Sequence, residues 1–446
     1  MSEAVRLKRT LGRWDLIVYG VVLIQLTAPM PVFGVLSLRA GGHVVTTILL
    51  ALVGMIFTAM SYGRMAQAYP SAGSAFTYVG RELHPVLGYV TGWGMLVDYV
   101  VNPLIMIVWC SKAAMNLLPD VPYAAWAVLF FVLFTTLNLV GIKSSALINR
   151  VFAVVMAAVV LAFLICAARF VLEHYNGSPG FFSRPFYDPK TFRLSAVLSG
   201  TSIAVLTYIG FDGISTLSEE VEDPRRSILF ATVGACVVIG LLSAVEVYAG
   251  QLVWPATERF RDVDTAFVAI AARAGGAWFF WVMNLTLLLA SFGSGVGAQL
   301  GAARLLYGMG RGNALPSGFF AAIDRKHRIP RNNVVLVGVV ALIGAFLISY
   351  SLGAEILNFG ALTAYMGVNL AAIVRYYIRT ESRRIRHLWP PLVGFSVCFL
   401  LWLNLAWPAK VVGGTWMILG VLIGAWRTHG FRKGEIAFET ISEETR

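Results

Sequence analysis

Twelve apolar stretches, each about as long as a bilayer is thick, constrain this chain more than any other feature. They run at roughly 15–38, 43–66, 84–113, 123–141, 150–172, 193–218, 226–254, 276–307, 332–351, 355–378, 388–407 and 411–427, spans 1 to 12. About 20 predominantly apolar residues carry a helix across the hydrocarbon core. The charged fraction, 13% against about 25% in soluble domains, agrees with that reading. The expected fold class is an all-α membrane protein with twelve transmembrane helices, one membrane domain over 1–446. The longest loops, 173–192, 255–275 and 308–331, are too short for a second domain.

Charge gives the expected orientation. Sorted by loop, 25 of the 35 Lys and Arg fall on the side of the two termini. The excess of basic residues in cytoplasmic loops places both termini in the cytoplasm. The net charge of +12 then belongs to loops facing an anionic leaflet. The expected partners are the lipid bilayer and a small molecule, with no nucleic acid. The opening "MSEAVRLKRTLGRWDL" is basic and lacks a small-residue cleavage site, so it reads as a cytoplasmic tail rather than a signal peptide. Cys110, Cys166, Cys236 and Cys398 each lie inside an apolar run and form no CxxC. The six His show no HxxxH spacing. No metal or other cofactor is expected. HExxH, GxSxG and a paired intramembrane Asp motif are all missing, so an enzyme is not expected either.

Two spans carry helix-breaking residues. Span 1 contains "QLTAPMPVFG" (25–34) and span 6 runs into "YIGFDGISTLSEE" (208–220). Pro removes a backbone donor and Gly lowers the cost of leaving the helix. Unpaired backbone in a bilayer is tolerated only where it lines a cavity or is covered by protein. Spans 1 and 6 are five apart, and an odd offset gives two five-span blocks opposite orientation. Breaks at matching positions of inverted halves point to a transporter's midplane site. The expected repeats cover about 15–172 and 193–378, with two extra helices at about 388–427.

Asp212 has two readings. It caps the helix that resumes at 213–219, or it faces the cavity as counter-charge to a substrate ammonium. Gln25 and Thr27 offer uncharged contacts to substrate, or pack against span 8. Glu246 in span 7 and Asp98 in span 3 are each a neutral, hydrogen-bonded acid or a proton carrier. Glu219, Glu220, Glu222 and Asp223 are expected to pair with Arg225 and Arg226 at the cytoplasmic end.

Five stretches, in order, carry a family resemblance: "SYGRMAQAYPSAGSAFTYVGRELHPVLGYVTGWGMLVDY" (61–99), "GFDGISTLSEE" (210–220), "ARLLYGMGRGNALP" (303–316), "RIPRNNVVLVGVVAL" (328–342) and "LNFGALTAYMGVNL" (357–370). From about Leu11 to Trp426 the chain resembles the amino acid–polyamine–organocation superfamily, and within it the bacterial putrescine importer family. The resemblance implies a LeuT-type 5+5 inverted repeat and cation-coupled uptake across a bacterial inner membrane. It also implies a substrate site between the broken helices, with Gln25, Thr27, Ala28, Tyr99, Tyr208, Ile209, Gly210, Phe211 and Asp212 as candidates. Asp212 matches an acidic position of related polyamine and arginine transporters, and "LVDY" matches the importers' "LLDY" at Asp98 and Tyr99. Three positions depart from the pattern. Pro31 stands where the importer has an Asp, and Leu206 where related antiporters have an aromatic. Met156 stands where many proton-coupled relatives have a Lys. The expected function is secondary active import of a small organic amine of the putrescine type by alternating access. The alternative is a cationic or neutral amino-acid permease or exchanger. A proton is the expected coupling ion, through Asp212, Glu246 or Asp98 in that order. Sodium is the alternative, with Ser291 and Ser294 as oxygen donors.

Overall fold

The computed structural model describes residues 16–17, 20–21, 24–69, 74–140, 146–175, 177–217, 224–255, 258–311, 315–324, 329–381, 383–428 and 430–431. Among them the regular structure is helical. The helices are α1 (Phe33–Arg39), α2 (Val44–Ala68), α3 (Ser74–Glu82), α4 (Pro85–Leu117), α5 (Tyr123–Val140), α6 (Ala146–His174) and α7 (Leu194–Ala204). After two 3₁₀ segments, Val205–Tyr208 and Phe211–Leu217, come α8 (Pro224–Val253), α9 (Ala266–Gly275), α10 (Ala277–Arg311) and α11 (Ser317–Phe320). Then follow α12 (Arg331–Leu347), α13 (Tyr350–Ile373, continued by a π turn Val374–Ile378), α14 (Ile385–Leu403) and α15 (Trp407–Arg427).

Ten helical segments among the described residues are long and apolar enough to cross a membrane. They correspond to spans 2–8 and 10–12. Span 9 appears as α12, apolar but only 17 residues long. It ends earlier than its sequence boundary because Ser349 takes extended backbone and its hydroxyl accepts the Leu352 amide, capping α13. The first part of span 1 is only partly described. The short helices α3 and α9 lie in segments that the sequence assigned to loops. The acidic cluster at 219–223 lies outside the described residues, as do the side chains of Arg225 and Arg226.

Burial sorts the helices into centre and rim. α4 and α13 are the central pair: 78% and 72% of their most apolar windows are buried, against 22% for α15 and 28% for α5, α6 and α14. The rim helices turn large apolar side chains outward, such as Leu172 and Trp426, as lipid-facing helices do. Four of the packing pairs share one offset. α1 packs on α7, α2 on α8, α4 on α10 and α5 on α12. Each pair joins spans five apart in the sequence. α4 and α13 also meet closely: a side chain at Gly360 would lie 2.5 Å from the Gly94 carbonyl and 3.1 Å from the Asp98 amide. That contact needs glycine, and it fixes the height of Asp98 in the core.

Candidate functional site

Span 1 leaves helical geometry at Gln25, a non-glycine residue with φ of 75°. Between Gln25 and Phe33 the backbone is turn-like, held by i to i+3 bonds from Ala28 to Gln25, Met30 to Thr27 and Phe33 to Met30. Pro29 and Pro31 have no N–H to give, so a regular helix cannot form until α1 begins. Span 6 breaks in the same manner. α7 tightens into 3₁₀ geometry, Ile209 becomes extended, and Gly210 takes φ of 119° before Phe211. The two breaks touch. A Cβ on Gly210 would lie 3.3 Å from Ile24 Cγ1 and 3.4 Å from its Cα.

Asp212 follows this crossing and is buried. The backbone amides of Gly210, Asp212 and Gly213 engage its carboxylate, so it caps the turn that restarts span 6. Asp98 on α4, also buried, lies within electrostatic reach of Asp212. The Tyr62, Tyr99 and Tyr365 rings sit within reach of both carboxylates. Phe211, Tyr62 and Tyr365 pack on one another, with centroids 5.6 Å apart for Tyr62–Phe211, 5.6 Å for Tyr62–Tyr365 and 5.2 Å for Phe211–Tyr365. The Tyr62 hydroxyl is buried with no hydrogen-bond partner among the described residues. Two carboxylates beside aromatic faces have the chemistry that can receive an ammonium group.

Of the residues singled out by the sequence, Asp212, Phe211, Asp98 and Tyr99 come together here, and Gly210, Ile209 and Ala28 lie at the breaks. Others point elsewhere. Gln25 donates its amide to the Ala290 carbonyl of α10 at 2.9 Å, so it fastens the break to span 8 beside buried Ser291 and half-buried Ser294. Thr27 is buried and its hydroxyl meets Met156 Sδ at 4.0 Å. Tyr208 is buried and donates to the Ile48 carbonyl at 2.7 Å. Glu246 is buried on α8, a different helix from the segments that carry Asp98 and Asp212. The sequence missed Tyr62 and Tyr365. Both stand in the motif stretches quoted above, but nothing in their spacing says that spans 2 and 10 meet at Phe211.

Ion pairs close the bundle at both ends. At one, Glu355 at the start of α13 binds Arg39 at 2.8 Å and the Ala406 amide at 2.5 Å, tying α1 to α13 and α15. Lys112, in the last turns of α4, pairs with Asp264, just before α9. At the other end, the fully buried Glu82 side chain receives Arg375 at 2.6 Å, Arg379 at 2.8 Å and the Tyr69 hydroxyl at 2.5 Å. Burial and the bond to Glu82 push the Tyr69 hydroxyl up to about 12, so it stays a donor at physiological pH.

The family profile described as amino acid permease matches residues 34–428. The low-affinity putrescine importer PlaP of Escherichia coli (strain K12) is 31% identical over 446 residues, covering 99% of this chain and 98% of the relative. The branched-chain amino acid permease BcaP of Bacillus subtilis (strain 168) is 24% identical, over 94% of this chain and 92% of its own. The vacuolar cationic amino acid transporter 4 of Arabidopsis thaliana is 25% identical, over 77% of this chain and 59% of its own.

Proposed function

This chain belongs to the amino acid permease family of membrane transporters, and from that premise we propose that it imports a small organic amine of the putrescine type by alternating access, driven by proton entry. The observation that carries the reading is the buried pair Asp212 and Asp98, set beside aromatic rings where two broken helices cross. A cation crossing the midplane needs a counter-charge. At an effective dielectric of about 20, charges 4 Å apart attract by about 4 kcal/mol, partly offset by desolvation. A diamine has two ammonium groups, and the site offers two carboxylates. PlaP, by its name a putrescine importer, supports the same substrate class.

The architecture in this reading is twelve spans in a LeuT-type inverted repeat. Ten long helices, α12 and the broken first span supply the twelve, and the pairing of spans five apart supports the repeat. Both termini face the cytoplasm of a bacterium, by the bias of Lys and Arg. The ion pairs at Glu355 and at Glu82 act as gates that break in turn. The second reading is an amino-acid permease or exchanger, favoured by the names of BcaP and the plant transporter.

A thermal-shift panel of amines and amino acids on purified protein tests the substrate, because a ligand of the folded state raises its stability by mass action. Putrescine is expected to stabilise the protein and amino acids not to. Stabilisation by amino acids alone sinks the amine reading. Uptake into proteoliposomes under separate proton and sodium gradients tests the ion, and accumulation driven by sodium alone sinks proton coupling.

A further inference from the structure

We propose that Glu246, in the middle of α8, is the proton-binding site that couples transport to the proton gradient. The proposal rests on the proton-coupled reading above, and it moves the proton from Asp212, first in the sequence ranking, to a second carboxylate on another helix.

The two acids are built for different tasks. Asp212 has three backbone amides turned to its carboxylate and neighbours suited to a cation. Glu246 is 0% exposed, and neither carboxylate oxygen has a hydrogen-bond partner among the described residues. One turn away, the buried Ser243 hydroxyl also lacks a partner. A buried charge without partners is far more costly than a neutral acid. The titratable groups on elements packed against α8 include Tyr62 on α2, Cys166 on α6, Tyr208 and Asp212 on the 3₁₀ segments, and Arg273 on α9. None exerts a charge effect on Glu246, nor do Cys236 and Tyr248 on α8 itself.

Location gives the carboxyl group a use. Gly234 and Ala235 of α8 lie against Ile17 and Gly20 of span 1, and Gly250 lies against Phe33 of α1. Residues 235, 239, 243, 246 and 250 form one stripe at helical spacing. Glu246 and Ser243 thus fall between the two contacts, level with the unwound stretch of span 1. In the packed arrangement the carboxyl group keeps its proton against span 1. When span 1 and α8 part toward the cytoplasm, water reaches Glu246 and the proton leaves. The anion cannot return to the dry seam until a proton from the other side of the membrane binds it. Proton binding and the position of the broken helix are thereby linked.

The test compares wild type, Glu246→Gln and Glu246→Asp in proteoliposomes with labelled putrescine. Counterflow without an ion gradient reports binding and movement, and accumulation against an imposed pH gradient reports coupling. Glu246→Gln, nearly isosteric and permanently neutral, is expected to keep counterflow and lose gradient-driven accumulation by about tenfold or more, within the usual span of coupling energies. Glu246→Asp is expected to keep accumulation with a displaced pH profile. Wild-type accumulation by Glu246→Gln overturns the proposal. Should Glu246→Gln lose counterflow as well, wild-type protein decides. A carbodiimide that attacks protonated carboxyl groups is expected to modify Glu246 during exchange at low pH and less as pH rises. No adduct at Glu246 by mass spectrometry overturns the proposal. If wild type exchanges amino acids but not putrescine, the amine reading fails instead, and the same comparison is made with the amino acid exchanged.

Discussion

Three backbone amides engage the Asp212 carboxylate, so this side chain caps the restarting helix. Capping and ion pairing are compatible, because a carboxylate accepts several hydrogen bonds. They are separable by Asp212→Asn. Asparagine caps nearly as well as aspartate and has no charge for an ammonium. Putrescine affinity is expected to fall by about tenfold or more, about 1.4 kcal/mol, while thermal stability stays close to wild type. Wild-type affinity in that variant, measured by equilibrium binding, leaves Asp212 as a cap alone. Tyr208 illustrates the opposite case. Tyr208 and Phe211 are both substrate candidates by sequence, yet the Tyr208 hydroxyl is bound to the Ile48 carbonyl.

At the scale of elements, function depends on where helices stop. Pro29 and Pro31 keep span 1 from resuming regular helix before α1, and Gly210 ends the first part of span 6 by entering a φ region that other residues avoid. The two breaks meet at Ile24 and Gly210, so each closes the gap left by the other. Gly210→Ala puts a Cβ at strained φ and 3.3 Å from Ile24 Cγ1. The variant is expected to lose about 1–3 kcal/mol of stability, seen as a lower unfolding temperature of the purified protein, with transport reduced as well. Unchanged stability and transport would mean that the break does not depend on this backbone conformation. The π turn after α13 is a second departure from regular helix. It carries Arg375 toward Glu82, and Arg379 follows directly after it. The helix therefore changes geometry where it meets the ion-pair cluster.

For the whole molecule, the pairing of α1 with α7, α2 with α8, α4 with α10 and α5 with α12 follows one five-span offset. Spans 1 to 4 thus pack on spans 6 to 9, the pattern expected of the proposed inverted repeat, and the breaks of spans 1 and 6 lie together. In the proposed twelve-span topology, 25 of 35 basic side chains fall on one side, so both termini are expected in the cytoplasm. A C-terminal fusion to a reporter active only in the periplasm is expected to stay silent. A fully active reporter would refute the topology.

The sequence by itself determined the solvent, the long helices and the breaks. Hydrocarbon demands internal hydrogen bonding over about 20 apolar residues, and Pro29, Pro31 and Gly210 cannot be accommodated in regular helix without cost. These are local consequences of backbone chemistry, legible residue by residue. Which side chains share the site was not local. Tyr62, Asp98, Phe211 and Tyr365 come from four separate spans, and a rotation of any one helix would send its side chain to lipid. Close packing of α4 on α13 at Gly360 and the crossing of the two breaks set those rotations. The same packing gave Gln25 to Ala290 and Tyr208 to Ile48, and left both Glu246 carboxylate oxygens without a partner among the described residues. Only the tertiary structure decides such outcomes, because a polar group's role depends on which partners remain within hydrogen-bonding distance once the helices are packed.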